Sequence, residues 1–186
     1  PSSGNGIQVW DVEKGEMRRR LVAPASPWHL AYDRAESRLF ATSSSDEVTV
    51  IDLDDGDRTR TLRPTEDIEG RGYSIALARD GTRVAAGFRT HVVIWDVGSG
   101  RELHNLPISG RSLCFSANGD FLLCGTLRQT CVVVDVATGE RLASMSPGIV
   151  PGAIAVSHDG RQALLAGGGD YALQVWNLPR AAWGRP

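Results

Sequence analysis

The chain has 186 residues, a net charge of −2, 41% hydrophobic and 23% charged residues, which is the balance of a globular domain large enough to bury a real core. That charge gives no general attraction to nucleic acid or to an anionic membrane, so neither is expected as a partner. No apolar run approaches the roughly 18 residues of a membrane span, and no secretory signal pattern opens the sequence.

The first predicted strand ends at Val9-Trp10-Asp11, and a turn through Gly15 starts a polar strand that reaches Leu21. One phrase then repeats. Leu30-Ala31-Tyr32 is an alternating strand, Leu39-Phe40-Ala41 a second and Val50-Ile51-Asp52 an apolar third, after which Gly56 opens a fourth strand to Leu62. The stretch 62–72, LRPTEDIEGRG, lengthens this part and reads as a surface loop around Glu66, Asp67 and Glu69. The next copy holds Ile75-Ala76-Leu77, Val84-Ala85-Ala86, the run Val92–Asp96, and Gly100 to Leu106. Leu113-Cys114-Phe115, Leu122-Leu123-Cys124, Val133-Val134-Asp135 and Gly139 to Met145 follow in the same order. The last copy has Ile154-Ala155-Val156, Leu164-Leu165-Ala166 and Val175-Trp176-Asn177.

Asp80-Gly81, Asn118-Gly119 and Asp159-Gly160 join first to second strands; Asp-Gly and Asn-Gly tolerate the positive φ of tight hairpins. The first copy has Arg34-Ala35-Glu36 instead, so its turn must be of another type or looser. The residues closing the apolar runs, Asp11, Asp52, Asp96, Asp135 and Asn177, stand 41, 44, 39 and 42 residues apart, the period of four-stranded propeller blades. No segment has a helical period, so the fold class is all-β: a β-propeller with four-stranded antiparallel blades.

The repeated VWD and IWD endings, the SxDG-like turns and the period resemble WD40 repeats over essentially the whole chain. The resemblance implies blades whose strands run a to d from the centre outward around a channel. Two features depart from the pattern. The Gly-His dipeptide before strand a is absent, and Asp170, six residues before Trp176, has no matching histidine. The usual Asp-His-Ser/Thr-Trp network is therefore not expected, and other propeller families with a PDG-like turn stay open.

The expected organisation is a partial blade at 1–23, blades at 24–64, 65–107 and 108–146, a last blade at 147–178 and a tail at 179–186. That is about four and a half blades, an open arc of a larger propeller, since a seven-blade ring needs about 290 residues. The alternative is a small closed four-blade ring in which Met17–Leu21 pairs with Val175–Trp176. An open arc would leave unpaired edges through which the chain self-associates.

Cys114, Cys124 and Cys131 form no CxxC pair and meet no histidine cluster, so free buried thiols are expected, with no metal. A hairpin turning at Leu127-Arg128 would set Cys124 opposite Cys131. An odd cysteine count without an export signal fits a reducing, cytoplasmic setting. Lys14 is the only lysine, and such arginine bias fits a GC-rich bacterial source.

No nucleophile, metal or nucleotide fingerprint appears, and no cofactor is expected. Gly167-Gly168-Gly169-Asp170 precedes a strand, so it offers no helix N-terminus to an anion. The stretch 52–57 lacks the spacing and distal glutamate of a calcium loop. In WD40-like propellers partners bind the face made by the starts of strand a and the b–c turns. Here those positions carry Trp28, Tyr73 and Arg111, with Arg71 two residues before Tyr73 and Arg89 and Arg128 in the turns. Trp, Tyr and Arg dominate binding hot spots, and arginines around one face favour an acidic peptide or protein. The bland alternative is that Trp28 and Tyr73 pack between blades while the arginines are solvated. Arg18, Arg19, Arg20, Arg58, Arg60 and Arg63 on fourth strands read as a solvated outer rim.

The expected function is therefore a non-catalytic scaffold, and the resemblance implies a module of a larger signalling protein with an upstream effector domain. The competing class is a channel-site propeller, lactonase-like or quinoprotein-like, binding a small ligand or acting as an enzyme. It would need convergent carboxylates or histidines on strand-a positions.

Overall fold

The computed structural model describes residues 6–22, 26–55, 58–68, 70–168 and 173–178. Its elements are all strands. β1 (Gly6–Asp11) and β2 (Glu16–Val22) form a two-stranded sheet. The first four-stranded sheet holds β3 (His29–Asp33), β4 (Arg38–Thr42), β5 (Val48–Asp52) and β6 (Arg58–Leu62). The second holds β7 (Ser74–Leu77), β8 (Arg83–Gly87), β9 (Val92–Asp96) and β10 (Glu102–Leu106). The third holds β11 (Ser112–Phe115), β12 (Phe121–Gly125), β13 (Cys131–Asp135) and β14 (Arg141–Met145). β15 (Val150–Val156), β16 (Gln162–Gly168) and β17 (Leu173–Asn177) make a three-stranded sheet. Sequence neighbours pair within each sheet, and β3, β7, β11 and β15 touch in succession. The sheets thus fan out from a shared inner edge as blades.

Because side chains alternate along a strand, a sheet between two others must be apolar on both faces. On β9, Val93 and Trp95 face Phe40 and Val50 of one neighbour, whereas Ile94 faces Leu122 and Val134 of the other. The same interleaving joins Leu123 and Val133 to Ala163 and Leu165, and Ile7 and Leu21 to Leu39 and Ile51. Each fully buried side chain of this size contributes about 1.5–3 kcal/mol. Trp95 also donates its indole N–H to the Arg63 carbonyl at 3.3 Å.

The acid that closes the apolar strand holds the turn that follows. Oδ1 of Asp11 accepts the amides of Glu13 and Lys14 at 3.0 and 3.1 Å, and Oδ1 of Asp135 those of Ala137 and Thr138 at 2.9 and 3.0 Å. Asp52 does the same for Asp54 and Asp55 at 3.1 Å, so its carboxylate serves its own turn. Asp96 accepts both the hydroxyl and the amide of Ser99, at 2.6 and 2.7 Å, bonds that hold its carboxyl below the usual value. Gly15, Gly100 and Gly139 take φ of 67°, 71° and 75° in these turns, which a side chain would resist. In the first copy the a–b turn is of another type, as expected: Asp33 Oδ1 accepts the amides of Ala35 and Glu36, and Ser37 adopts φ 47°.

One reading of the sequence is corrected, and two alternatives to its main readings are set aside. The outer arginines do more than solvate a rim. Arg19 donates to the Leu53 carbonyl at 3.2 Å, Arg60 to that of Val97, and His104 Nε2 to that of Val136 at 3.0 Å. Each reaches from a fourth strand to the residue just after the turn acid of the next blade. Cys124 and Cys131 do not face each other. The register sets Cys124 opposite Val132 and Cys131 opposite Gly125, one residue out of step, so the two thiols enter different cores. Burial raises the pKa of both, that of Cys131 to about 12. Finally, the four-blade closure does not form: β2 pairs with β1, and β17 pairs with β16 alone among the described strands.

The arc leaves two sheet faces partly open. Ile75 and Leu77 of β7 pack on the preceding blade, but their equivalents Leu30 and Tyr32 are 49% and 54% exposed. β1 and β2 cover only the outer part of that face, at Leu39, Ala41 and Ile51. At the other end, Leu173 and Val175 of β17 are 64% and 58% exposed.

Blade spacing is tightest where Gly87, ending β8, meets Gly110, just before β11. A Cβ on either would run into the other's backbone. Gly87→Ala is expected to lower stability by about 2 kcal/mol or more, read as a drop in the urea midpoint; a midpoint equal to wild type would contradict this contact.

Candidate functional site

The residue preceding each strand a is set at the same height by one backbone bond. The amides of Trp28, Tyr73 and Arg111 donate to the carbonyls of Thr42, Gly87 and Gly125 at 2.8, 2.7 and 2.8 Å, the last residues of β4, β8 and β12. Gly152, the fourth position in this series, is exposed beside a register shift in β15. The face is therefore built by blade repetition, and its side chains are the variable part.

Trp28, Arg71, Tyr73 and Arg89 come together in one cleft of about 610 Å³, with Ile68 and Asp46 also on its walls. The Arg71 guanidinium lies over the Trp28 ring at 4.6 Å and over the Tyr73 ring at 5.5 Å. Trp28 is half exposed. A guanidinium held by cation–π contact with aromatic rings still has N–H donors to offer a ligand. Two arginines stand against one acid, Asp46, so the cleft favours anions.

The loop 62–72 does lie on the surface, yet it is tied down. Ile68 is buried in the neighbouring core, and Thr65 donates its amide and hydroxyl to Glu102 at 2.7 and 2.9 Å. That anchoring places Arg71. Glu69 lies outside the described residues, as do Gly56, Asp57, Gly169, Asp170 and residues 179–186.

Arg128 does not reach this first cleft. It shares a second one, of about 330 Å³, with Arg89 and with Arg141 of β14. Arg141 carried no signal in the sequence, since an arginine on a polar outer strand looks like any other, and neither did Asp46.

Arg111 stands apart from both clefts, and its charge acts on His29. His29 starts β3 where Ser74 starts β7 and Ser112 starts β11. Those hydroxyls donate to the carbonyls of Gly110 and Pro151 at 2.9 and 2.8 Å, whereas His29 Nδ1 is buried without a partner. Burial, and then the positive charge of Arg111, lower its pKa from 6.5. The other histidines have ordinary roles: His91 Nδ1 meets the Thr90 hydroxyl at 2.9 Å, His104 bridges blades, and His158 is exposed in a turn. Among the described residues, no three His, Cys, Asp or Glu side chains gather at metal-holding range.

A histidine whose native pKa is lowered has a definite pH signature. The unfolded chain takes up a proton near the ordinary histidine value and the native one only at lower pH. This share of stability is therefore complete above about pH 6.5 and is lost as pH falls through the lowered value. The urea midpoint should decline from about pH 7 to pH 5, and His29→Ser, which supplies the hydroxyl of the other blades, should remove that part of the decline. Parallel curves for the two proteins would show that His29 is not its source.

No family model matches the chain, and no curated protein matches it. Among solved structures, a chain in the crystal structure of the mitotic checkpoint complex superposes with a TM-score of 0.83 at 19% identity, covering 95% of this chain and 57% of that one. The chain thus spans little more than half the length of that neighbour. At this identity the likeness is one of fold, and with the sheets described above it makes the chain an all-β propeller arc of four-stranded antiparallel blades.

Proposed function

We propose that this propeller is a WD40-type, non-catalytic scaffold that binds a protein or peptide carrying acidic side chains. The observation that carries the reading is Arg71, stacked on Trp28 and Tyr73 at the mouth of a cleft that Arg89 also lines. An arginine already ordered on aromatic rings loses little further freedom when it takes a carboxylate bidentately. Aromatic and arginine side chains in one concavity are also the composition of binding hot spots. A propeller neighbour found in a protein complex supports an interaction role in general terms. A channel-site enzyme or small-ligand binder is the competing class. That class needs converging carboxylates or histidines, and among Trp28, His29, Tyr73 and Arg111 at the starts of the inner strands only His29 is of either type.

The face is tested with two immobilised peptide libraries, one rich in Asp and Glu and one with Asn and Gln in their place. Wild type should retain the acidic library, and the Trp28→Ala/Arg111→Ala and Arg71→Ala variants should retain about ten-fold less. Equal retention of both libraries, or no loss in the variants, would remove this face as the binding surface.

We further infer that the arc belongs to a larger propeller, whose additional strands cover Leu30, Tyr32, Leu173 and Val175. By itself the 186-residue chain should then self-associate through these open faces. Size-exclusion chromatography over a range of concentrations should show earlier elution as concentration rises, and Leu173→Ser/Val175→Ser should blunt the trend. An elution volume independent of concentration would argue that the faces are already satisfied.

A further inference from the structure

We propose that the second cleft, lined by Arg89, Arg128 and Arg141, is a subsite for a phosphorylated side chain of the bound peptide. The proposal rests on the reading of this face as a peptide-binding surface, and extends it by naming a ligand group that no carboxylate replaces.

Three arginines line this cleft, and no Asp or Glu lies on its walls. None of the three has an ion-pair partner among the described residues. The arginines that do pair elsewhere show what is ordinary here: Arg38 sits 2.7 Å from Asp33 and Arg63 2.9 Å from Glu47. Three positive charges around about 330 Å³ repel one another, and an anion in the cleft relieves that repulsion. The hydroxyls of Thr90, Ser109 and Thr130 are also on its walls.

The number of donors decides which anion fits. One guanidinium satisfies one carboxylate through two parallel bonds. A phosphate monoester carries nearly two charges at neutral pH and three acceptor oxygens, so it can engage several guanidinium groups together. Three arginines without a counter-acid match the second ligand and exceed what the first can use.

The backbone that carries two of these arginines is fixed in advance. In the turn between β12 and β13, the Thr126 amide donates to the Thr130 carbonyl at 2.8 Å, and their hydroxyls lie 2.7 Å apart. The Arg128 amide donates to the Thr126 hydroxyl at 3.1 Å, and the Leu127 amide to the Ser109 hydroxyl at 3.0 Å. Gln129 holds φ at 58° in this turn, a conformation that non-glycine residues adopt at a cost. On the other side, the Gly110 amide donates to the Phe88 carbonyl at 2.9 Å, tying the linker that carries Ser109 to the turn that carries Arg89. The two turns are therefore joined through residues 108–110, and Arg89 lies on the walls of both clefts. A peptide with a carboxylate in the first cleft and a phosphate in the second would span Arg89.

The test compares three peptide libraries of the same acidic frame, with phosphoserine, glutamate or serine at one fixed position, on wild type, Arg141→Gln and Arg141→Lys. Wild type should hold the phosphoserine library about ten-fold more tightly than the glutamate library. That ratio should fall towards one in Arg141→Gln and recover in part in Arg141→Lys, while added inorganic phosphate displaces the phosphoserine library selectively. Thermal melts of the variants serve as the folding control. A wild-type ratio near one, or a ratio unchanged in Arg141→Gln, overturns the phosphate subsite while leaving the acidic-peptide reading standing. Retention of none of the libraries by wild type overturns both.

Discussion

Every sheet inside this arc is apolar on both faces, and the rest of the structure follows from that constraint. A strand such as β9 sends Val93 into one core and Ile94 into the next. No blade can then bury its side chains alone, and stability becomes a sum of interfaces between neighbours. The consequence is visible at the ends. Ile75 and Leu77 pack on the complete blade before theirs, whereas Leu30 and Tyr32 are half exposed where, among the described strands, only β1 and β2 stand before theirs.

The same constraint explains why the most obvious sequence signal belongs to construction. The apolar strand must be continuous to serve two cores, and it must stop abruptly so that a polar strand can turn back along its outer edge. An aspartate does this with one oxygen, which gathers two successive amides at Asp11, Asp52 and Asp135 and the amide and hydroxyl of Ser99 at Asp96. The carbonyl of the first residue after that aspartate then receives a donor from the preceding blade, at Leu53, Val97 and Val136. Strand end, turn and bridge between blades are one device, repeated.

The sequence made the strands, their order and the turn types legible because these are local, with a two-residue alternation and Asp-Gly or Asn-Gly punctuation. It hid whatever depended on the distance between blades. The bridging donors Arg19, Arg60 and His104 each stand four residues after a turn glycine, a regularity masked by two different residue types and by the bland look of a polar strand. Whether Cys124 and Cys131 face each other turns on a single residue of register, enough to send them to opposite faces. For the site, the alignment of copies found Trp28, Tyr73 and Arg111 because one backbone bond fixes all three. It could not show that Arg71 would reach back over Trp28, because that contact crosses from one blade to another.

Rigid placement is what lets a repeated surface become selective. The backbone of the face is nearly the same in each blade, so discrimination must come from side chains held firmly enough to reject a poor fit. Arg71 is held by stacking on two rings, and the arginine turns by a run of hydrogen bonds from Phe88 through Gly110 and Ser109 to Leu127. That run exists because Gly87 and Gly110 let two blades approach backbone to backbone. A side chain at either glycine would push the blades apart and separate Arg89 from Arg128 before it touched any ligand. The packing that closes the core and the spacing that shapes the clefts are thus set at one contact, and selection on either acts on both.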